Sequence, residues 1–257
     1  MKISVACPSY KRPDGMLTLR YLPAIRVYVD KGEEDAYKKR NPKAVIIPCR
    51  SGIQGNVSRI RNHILREELK TNDAVCLMDD DLKGIFYWED REEREMPTEM
   101  FPNFLEKYTR LAQEWGAFMW GVNLNQDKQV YREYTPFSTL SVVLGPFSVF
   151  LKGHGCEYDE RITLKEDYDM CLQQLNKHRI VLRVNKFFYK AKQSEQKGGC
   201  AAYRNMDREK DQLRLLQKKW GSMIVKRDRN TRSHNLKAEK DGVLDYNPII
   251  KVPIPGV

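Results

Sequence analysis

Apolar positions along the chain fall into short runs, separated by longer stretches in which they recur every three to four residues. The runs predict strands, in "KISVACPSY", "AIRVYVDKG", "AVIIPCR" and "AVCLM". The stretches "EEDAYKKRN" and "SGIQGNVSRIRNHILREEL" predict helices, the second capped by Asn56 or Ser58 after Gly52 and Gly55. Strands and helices in this alternation imply right-handed crossovers. We therefore expect an α/β fold with a mainly parallel sheet and helices on both faces.

The second half of the chain continues the alternation and then becomes basic. Helices are predicted in "PTEMFPNFLEKYTRLAQEW", "LKEDYDMCLQQLNKH" and "NMDREKDQLRLLQKKW", and strands in "GAFMWGVN", "FSTLSVVLGPFSVFLKG" and "IVLRVNKFFYKAKQ". We expect one α/β domain over residues 1–195. Residues 196–257 are expected to form a basic helical or extended segment packed on it.

Three adjacent carboxylates follow one of the apolar runs. Ala74–Met78 reads as a buried central strand, and Asp79, Asp80 and Asp81 come directly after it. Open α/β sheets bind ligands at the carboxyl ends of their strands, and three like charges repel unless a cation or several donors offset them. This cluster is therefore a candidate metal site.

A second acidic cluster lies in "YDERITLKEDYDM", where Glu166, Asp167 and Asp169 fall at the predicted start of a helix. A helix start fixes the direction of a carboxylate well, so one of these acids is a candidate general base for an acceptor hydroxyl. Favourable interaction of acids with the helix dipole explains the same pattern without any catalysis.

Composition narrows the class of protein. Hydrophobic residues make up 41% and charged residues 31% of the 257 residues, which is typical of a soluble globular protein. No apolar run has the length of a membrane span, and the N-terminus becomes polar too early for a signal peptide. The six cysteines form no CxxC pair, so we expect reduced, buried thiols and a cytoplasmic protein.

The positive charge is concentrated in the last third of the chain. From Arg183 onward there are 18 Lys and Arg against 8 Asp and Glu, an excess equal to the formal charge of +10 for the whole chain. Such a segment on a neutral body suggests a polyanionic partner, because each phosphate contact releases counterions. A solvated basic helix face is the alternative.

Taken together, these motifs resemble the GT-A glycosyltransferases, especially the large inverting nucleotide-sugar group. The resemblance covers roughly residues 1–195 and rests on "CPSYKRP", the Gly-broken turn into "NVSRIRNHIL", the strand ending in "MDDD", and "GCEYDERITLKEDYDMCLQQL". It implies transfer of a sugar from a nucleotide-sugar donor to a hydroxyl. A UDP-sugar is the default donor, because uracil is the commonest base in such families.

The resemblance also assigns roles to residues. Asp79 and Asp81 match the DxD acids that hold Mn²⁺ or Mg²⁺ on the donor diphosphate, and Asp80 would face the ribose or the sugar. Asp167 matches the base of inverting enzymes and Glu166 an acid that positions a substrate. A retaining enzyme would give Asp167 no such role. The remaining residues match positions that bind the donor in this family. Those positions are Pro8, Ser9, Tyr10 and Arg12 at the base and ribose, Asp30 at the base, and Arg61 at the diphosphate or sugar.

One motif departs from the family. Many members have a histidine after the last sheet strand as a further metal ligand, whereas "FFYKAKQSEQKGG" offers Gln193 and Ser194. The cation would then be held by the DxD acids and water, or the site would depend on metal only in part.

The acceptor is suggested by a narrower resemblance. Short length, "KGGC" and the basic tail are similar to the TET-associated group of bacteriophages, which glycosylates 5-hydroxymethylpyrimidines in DNA. DNA would then be the partner, inside an infected bacterial host, and the modified base would be single-stranded or flipped out of the stack. Tyr203 and Trp220 are candidates for stacking on bases, although an aromatic residue on a late helix also suits a core.

Other functions fit parts of the pattern. The acceptor of a GT-A enzyme could be a protein or a glycan. A two-metal nuclease or nucleotidyltransferase also needs several carboxylates on a basic body, but it does not need the "CPSYKRP" loop. A binding module without activity is the third alternative, and the intact acids in both clusters speak against it.

Overall fold

The fold is described from a computed structural model, which gives residues 1–124, 131–192, 204–227 and 246–252. Its centre is a sheet of ten strands: β1 Ile3–Pro8, β2 Arg26–Asp30, β3 Val45–Cys49, β4 Ala74–Met78, β5 Leu82–Glu89, β6 Glu92–Glu95, β7 Met119–Asn123, β8 Phe137–Ser138, β9 Phe147–Leu151 and β10 Leu182–Ala191. The strand order is β3-β2-β1-β4-β9-β7-β10-β5-β6, and β8 pairs with β10.

Most strands of this sheet run in one direction. The pairs β3–β2, β2–β1, β1–β4 and β7–β10 are parallel, while β9, β5 and β8 run opposite to their neighbours. Since β6 is antiparallel to β5, seven of the ten strands share the direction of β1. The expected α/β fold with a mostly parallel central sheet is confirmed.

Helices cover both faces of the sheet. They are α1 Thr18–Tyr21, α2 Glu34–Arg40, α3 Val57–Glu68, α4 Phe101–Glu114, α5 Glu166–His178 and α6 Met206–Trp220. Alternate residues of β4 point to different sides: Cys76 joins the cluster that contains Phe104 of α4, and Leu77 joins the one that contains Ile64 of α3 and Met170 of α5. All five residues of β4 are buried, which is why its sequence is a continuous apolar run.

The start of α3 shows how the chain turns into a helix beside the sheet. Gly52 and Gly55 have φ of 88° and 85°, a conformation that favours glycine. Asn56 then caps the helix, its Oδ1 accepting the N–H of Arg59 at 3.2 Å. Ser58, the other predicted cap, instead donates to the carbonyl of Ile162 at 2.7 Å and so ties α3 to the loop before α5.

The structure contains a hairpin, β5 and β6, that the sequence pattern did not predict. β6 has the sequence EERE, and all four residues are exposed. A charged strand at the edge of a sheet carries no apolar alternation, and its charges discourage pairing with other chains. Hydrophobic periodicity therefore has nothing to detect in β6, whereas β5 does contain an apolar run, GIFYW.

The described C-terminal residues pack against α5. Leu213 and Leu216 of α6 form a cluster with Tyr168 and Leu172, and a short hairpin adds Val225 to it. The hairpin strands are β11 Val225–Arg227 and β12 Pro248–Ile250. The domain boundary expected at residue 195 lies outside the described residues and stays a prediction.

Two expectations from composition concern the whole chain. Cys7, Cys49, Cys76, Cys156 and Cys171 are free and buried, as expected, while Cys200 lies outside the described residues. Within the described part of the chain, no helix combines the length and apolar character needed to cross a membrane.

Candidate active site

A cavity opens where β1 and β4 end and where α3 and α5 begin. Ten of the eleven predicted site residues line it: Pro8, Ser9, Tyr10, Arg12, Arg61, Asp79, Asp80, Asp81, Glu166 and Asp167. Parallel strands that end at one edge explain how residues far apart in the sequence meet here.

The loop after β1 is fixed to the acidic cluster by Asp80. The Ser9 hydroxyl donates to Asp80 Oδ2 at 2.6 Å, and Arg12 Nη1 lies 2.7 Å from Oδ1. Tyr37 of α2 joins the network, its hydroxyl lying 2.8 Å from Ser9 Oγ and accepting the N–H of Arg12 at 2.9 Å. Burial raises the pKa of Asp80, and the nearby Arg12 opposes that shift. Asp80 thus holds the loop that forms one wall of the cavity.

Arg61 joins the two acidic clusters. Its side chain is 3% exposed, with Nη2 2.7 Å from Asp79 Oδ1 and Nη1 2.9 Å from Glu166 Oε1. Gly145 leaves room for it, since a Cβ at that position would lie 2.5 Å from Nη2. Two carboxylates from separate motifs are therefore placed by one buried guanidinium.

Asp81 carries charge that its surroundings compensate poorly. Burial raises its pKa to about 7, and the charges of Asp79 and Asp80 add to the rise. Within the described residues, no group of three or more His, Cys, Asp or Glu is arranged to hold a metal. Asp79 and Asp81 nevertheless fit a hard cation, because Mg²⁺ is commonly held by one or two carboxylates together with phosphates and water.

The acids at the start of α5 are held differently. Asp167 Oδ1 accepts the N–H of Tyr168 at 2.8 Å, and Oδ2 accepts the N–H of Gly145 at 3.3 Å. Burial raises the pKa of Asp167. Burial also raises the pKa of Glu166 to about 8; the negative charge of Asp167 adds to this rise, and the positive charge of Arg61 opposes it. Asp167 thus accepts hydrogen bonds from the backbone, while Glu166 is paired with an arginine.

Two acidic residues from the sequence motifs lie elsewhere. Asp30, the predicted base contact, is not among the cavity-lining residues, and its Oδ1 caps the following turn by accepting the N–H of Gly32 at 2.9 Å. Asp169 is fully buried, with Oδ1 accepting the indole N–H of Trp220 at 2.7 Å and Oδ2 2.9 Å from Lys219 Nζ. Gln193, Ser194 and Tyr203 are outside the described residues.

Several site residues lack a signal in the sequence. Gln54 fixes the ends of β1 and β2 by donating to the carbonyls of Tyr28 and Ser9, and Thr18 donates to the carbonyl of Asp79. Arg204 and Asn247 reach the cavity from the C-terminal part of the chain. These are common polar residues in unremarkable stretches, so only tertiary contacts reveal them.

Fold and cavity together define a class of protein. A mostly parallel sheet with a loop after its first strand, acids after its fourth and acids opening a later helix is the arrangement of GT-A glycosyltransferases. The structure of S. aureus TarS 1-349 is similar with a TM-score of 0.50 at 14% identity, over 84% of this chain and 64% of that one. This chain therefore spans less than two thirds of that protein's length.

Glucosyl-3-phosphoglycerate synthase from Mycobacterium tuberculosis has the same fold. Its complex with Mg²⁺ and UDP gives a TM-score of 0.51 at 11% identity, over 88% of this chain and 83% of that one. Its complex with Mn²⁺, UDP and phosphoglyceric acid gives 0.51 at 11%, over 97% and 86%.

The family is identified by sequence. The sequence model of the TET-associated glycosyltransferase family matches residues 3–199, more than half of the chain. The protein therefore belongs to this family. Comparison with curated proteins gives no match.

Proposed function

We propose that this enzyme transfers a sugar from a UDP-sugar, with a divalent cation, to the hydroxyl of a 5-hydroxymethylpyrimidine in phage DNA. The observation that carries the proposal is the cavity in which Arg61 joins Asp79 of the strand-end cluster to Glu166 of the helix-start cluster. The proposed donor site would thereby lie next to the acids proposed to take a proton and to position a substrate.

The strand-end cluster supports the donor half of the proposal. The loop from Pro8 to Arg12 would enclose the base and ribose, and Asp79 and Asp81 would hold Mn²⁺ or Mg²⁺. A bound cation supplies charge neutralisation for the departing nucleoside diphosphate. The synthase with the same fold forms complexes with UDP and either of these cations, which agrees with this assignment.

Asp167 is the proposed base. The acceptor oxygen bonds to the anomeric carbon as its proton passes to the Asp167 carboxylate, and the bond from that carbon to the diphosphate breaks. Its raised pKa suits a group that takes up a proton near neutral pH. Glu166, paired with Arg61, would position a substrate.

The acceptor half rests on charge and family. All of the net charge of +10 lies from Arg183 onward, where Lys218, Lys219, Lys226 and Arg227 are described, and Arg229, Arg232 and Lys237 lie outside the described residues. A basic segment on a glycosyltransferase suits a phosphate backbone. A base in a duplex would have to be flipped to reach the cavity.

The test combines the protein with Mn²⁺, a panel of UDP-sugars, and DNA with or without 5-hydroxymethylcytosine, and measures DNA mass and UDP release. We expect a hexose-sized mass gain on modified DNA only, abolished by Asp81→Ala and by Asp167→Ala but not by Asp211→Ala, a change at an exposed acid of α6. UDP release without DNA modification would contradict the acceptor and favour a protein or glycan. DNA cleavage without a nucleotide sugar would favour a nuclease.

A further inference from the structure

Three charged side chains form a cluster under the cavity: Lys165, Glu209 and Arg204. Lys165 Nζ lies 2.6 Å from Glu209 Oε2, and both side chains are 0% exposed. This contact is a close ion pair rather than a well-aligned hydrogen bond. Arg204 Nε donates to the other oxygen, Oε1, at 2.5 Å. One buried carboxylate is thus shared by two cations.

This cluster connects the C-terminal part of the chain to the start of α5. Glu209 lies on α6, Arg204 just precedes that helix, and Lys165 precedes Glu166. Lys165 also donates to Asn247 Oδ1 at 3.0 Å. Arg204 and Asn247 both line the cavity, although both lie beyond the residues 3–199 that the family model matches.

The position of the cluster is fixed by α6. Gln212 Oε1 accepts the N–H of Thr163 at 2.6 Å, and its Nε2 donates to the carbonyl of Arg161 at 3.0 Å. Gln212 therefore binds the loop before α5 much as a neighbouring strand would. A side chain held on such a rigid support is well placed to bind a ligand without large rearrangement.

Charge indicates what the cluster can bind. Lys165, Glu209 and Arg204 together carry one positive charge, and of the three only Arg204 lines the cavity. The cavity also contains Asp79, Asp80, Asp81, Glu166 and Asp167, and its other arginines, Arg12 and Arg61, are ion-paired with acids of this set. An anionic ligand entering here needs positive charge from somewhere other than those two pairs.

We propose that Arg204 binds the diphosphate of the donor, and that Lys165 is a positioning residue that neutralises Glu209 so that the charge of Arg204 acts on the ligand. This inference rests on the proposed function, which places a nucleotide sugar in the cavity. Arg204 makes at least one further contact besides Glu209. Its planar group of five donors can serve several acceptors and matches phosphate geometry.

The first test measures binding of UDP and of inorganic pyrophosphate, each with Mn²⁺, by calorimetry. We expect Arg204→Gln to weaken both affinities about 10- to 100-fold, the usual range for a charge-assisted hydrogen bond. Arg204→Lys should restore only part of the loss. Arg214→Gln changes an arginine of α6 that is 75% exposed and should leave both affinities unchanged.

The second test changes the charge balance while Arg204 stays in place. Lys165→Met leaves Glu209 to neutralise Arg204 and should weaken pyrophosphate binding, whereas Lys165→Met with Glu209→Gln restores the net positive charge and should recover it. A purely structural role would not give this recovery. The double variant has no unpaired buried charge, so it keeps the test valid if the single variant fails to fold.

The outcomes separate this inference from the proposed function. Unchanged affinity of Arg204→Gln for both probes overturns the inference, and so does weaker DNA binding by that variant with normal UDP binding. Wild-type affinity of Lys165→Met overturns the role of Lys165. If the wild type binds pyrophosphate but not UDP, the proposed donor is contradicted. In that case a weaker affinity of Arg204→Gln for pyrophosphate would still support the inference.

Discussion

The acids that follow β4 and the acids that open α5 face the same cavity, yet their charges are balanced by different means. At α5 the protein supplies the partners: Arg61 for Glu166 and backbone N–H groups for Asp167. Asp169 of the same motif does not line the cavity and is bound by Trp220 and Lys219. After β4, Arg61 and Arg12 each pair with one acid. The third, Asp81, has its pKa raised by burial and by its two neighbours.

This difference separates the roles of two sequence motifs that look alike. A cluster with excess negative charge is less favourable in the empty protein and becomes favourable when a cation binds. A cluster whose acids are bound by an arginine and by backbone N–H groups is fixed in place and can present one carboxylate in a defined direction. The four predictions below test this comparison, from the largest expected effect to the smallest.

Asp167→Asn should have the largest effect. If Asp167 takes the acceptor proton, kcat falls by about 10²- to 10⁴-fold, while affinity for UDP changes little. Steady-state kinetics with UDP calorimetry measures both. Asp169→Asn is the matched control, because that acid is fully buried beside Trp220 and should affect stability more than kcat. A kcat close to that of the wild type would indicate that Asp167 is not the base.

Arg61→Met should destabilise the protein by about 3–5 kcal/mol, because it leaves Glu166 buried without its cation. Chemical denaturation measures this loss. Arg59→Met on the same helix removes a pair whose side chains are 42% and 43% exposed, so less than about 1 kcal/mol is expected there. Equal losses for the two variants would mean that Arg61 does not link the clusters energetically.

The pH dependence of stability should reveal the uncompensated charge. Since the pKa of Asp81 is raised from 3.8 to about 7, the folded protein binds its proton more tightly than the unfolded chain does. The free energy of unfolding of the metal-free protein should therefore fall as pH rises from about 4 to 7, by an amount on the order of 1–3 kcal/mol. Glu166, with a pKa raised to about 8, adds a fall of the same sign.

Asp81→Asn should remove the Asp81 part of this fall and stabilise the metal-free protein at pH 8. Mn²⁺ should stabilise the wild type at that pH but have little effect on the variant. Denaturant titrations at pH 5 and pH 8 measure both effects, with Asp211→Asn as the exposed control. An unchanged pH slope in Asp81→Asn would show that the charge after β4 is already balanced.

Trp220→Phe should have the smallest effect. It removes the indole hydrogen bond to Asp169, while Lys219 and Gln173 remain within 2.9 Å of that carboxylate. A loss of about 1 kcal/mol is expected, and none for Trp115→Phe, whose tryptophan is 44% exposed. Normal stability with weakened binding of single-stranded DNA would instead support the stacking role considered from the sequence.

Local patterns were sufficient for much of the fold. The five buried residues of β4 form a continuous apolar run, and Asn56 after two glycines is a strong helix-start signal, so both could be predicted. The edge strand Glu92–Glu95 could not be predicted, because all four of its residues are charged and exposed and none packs in a core. Asp30 shows the limit at the site: it lies at a strand end, as expected, but its carboxylate caps the next turn.

The sequence by itself determined the alternation of strands and helices, the two acidic motifs, the cluster of charge in the last third and the membership of a glycosyltransferase family. These are properties of neighbouring residues, whose spacing is visible along the chain. Only the tertiary structure decided that Arg61 joins the two motifs, that Asp169 turns away into a buried network, and that Arg204 reaches the cavity. The contacts of Arg61 and Asp169 join residues that are 18 to 105 positions apart in the sequence. They also depend on burial, which alters the charge of a side chain and cannot be read from the local sequence.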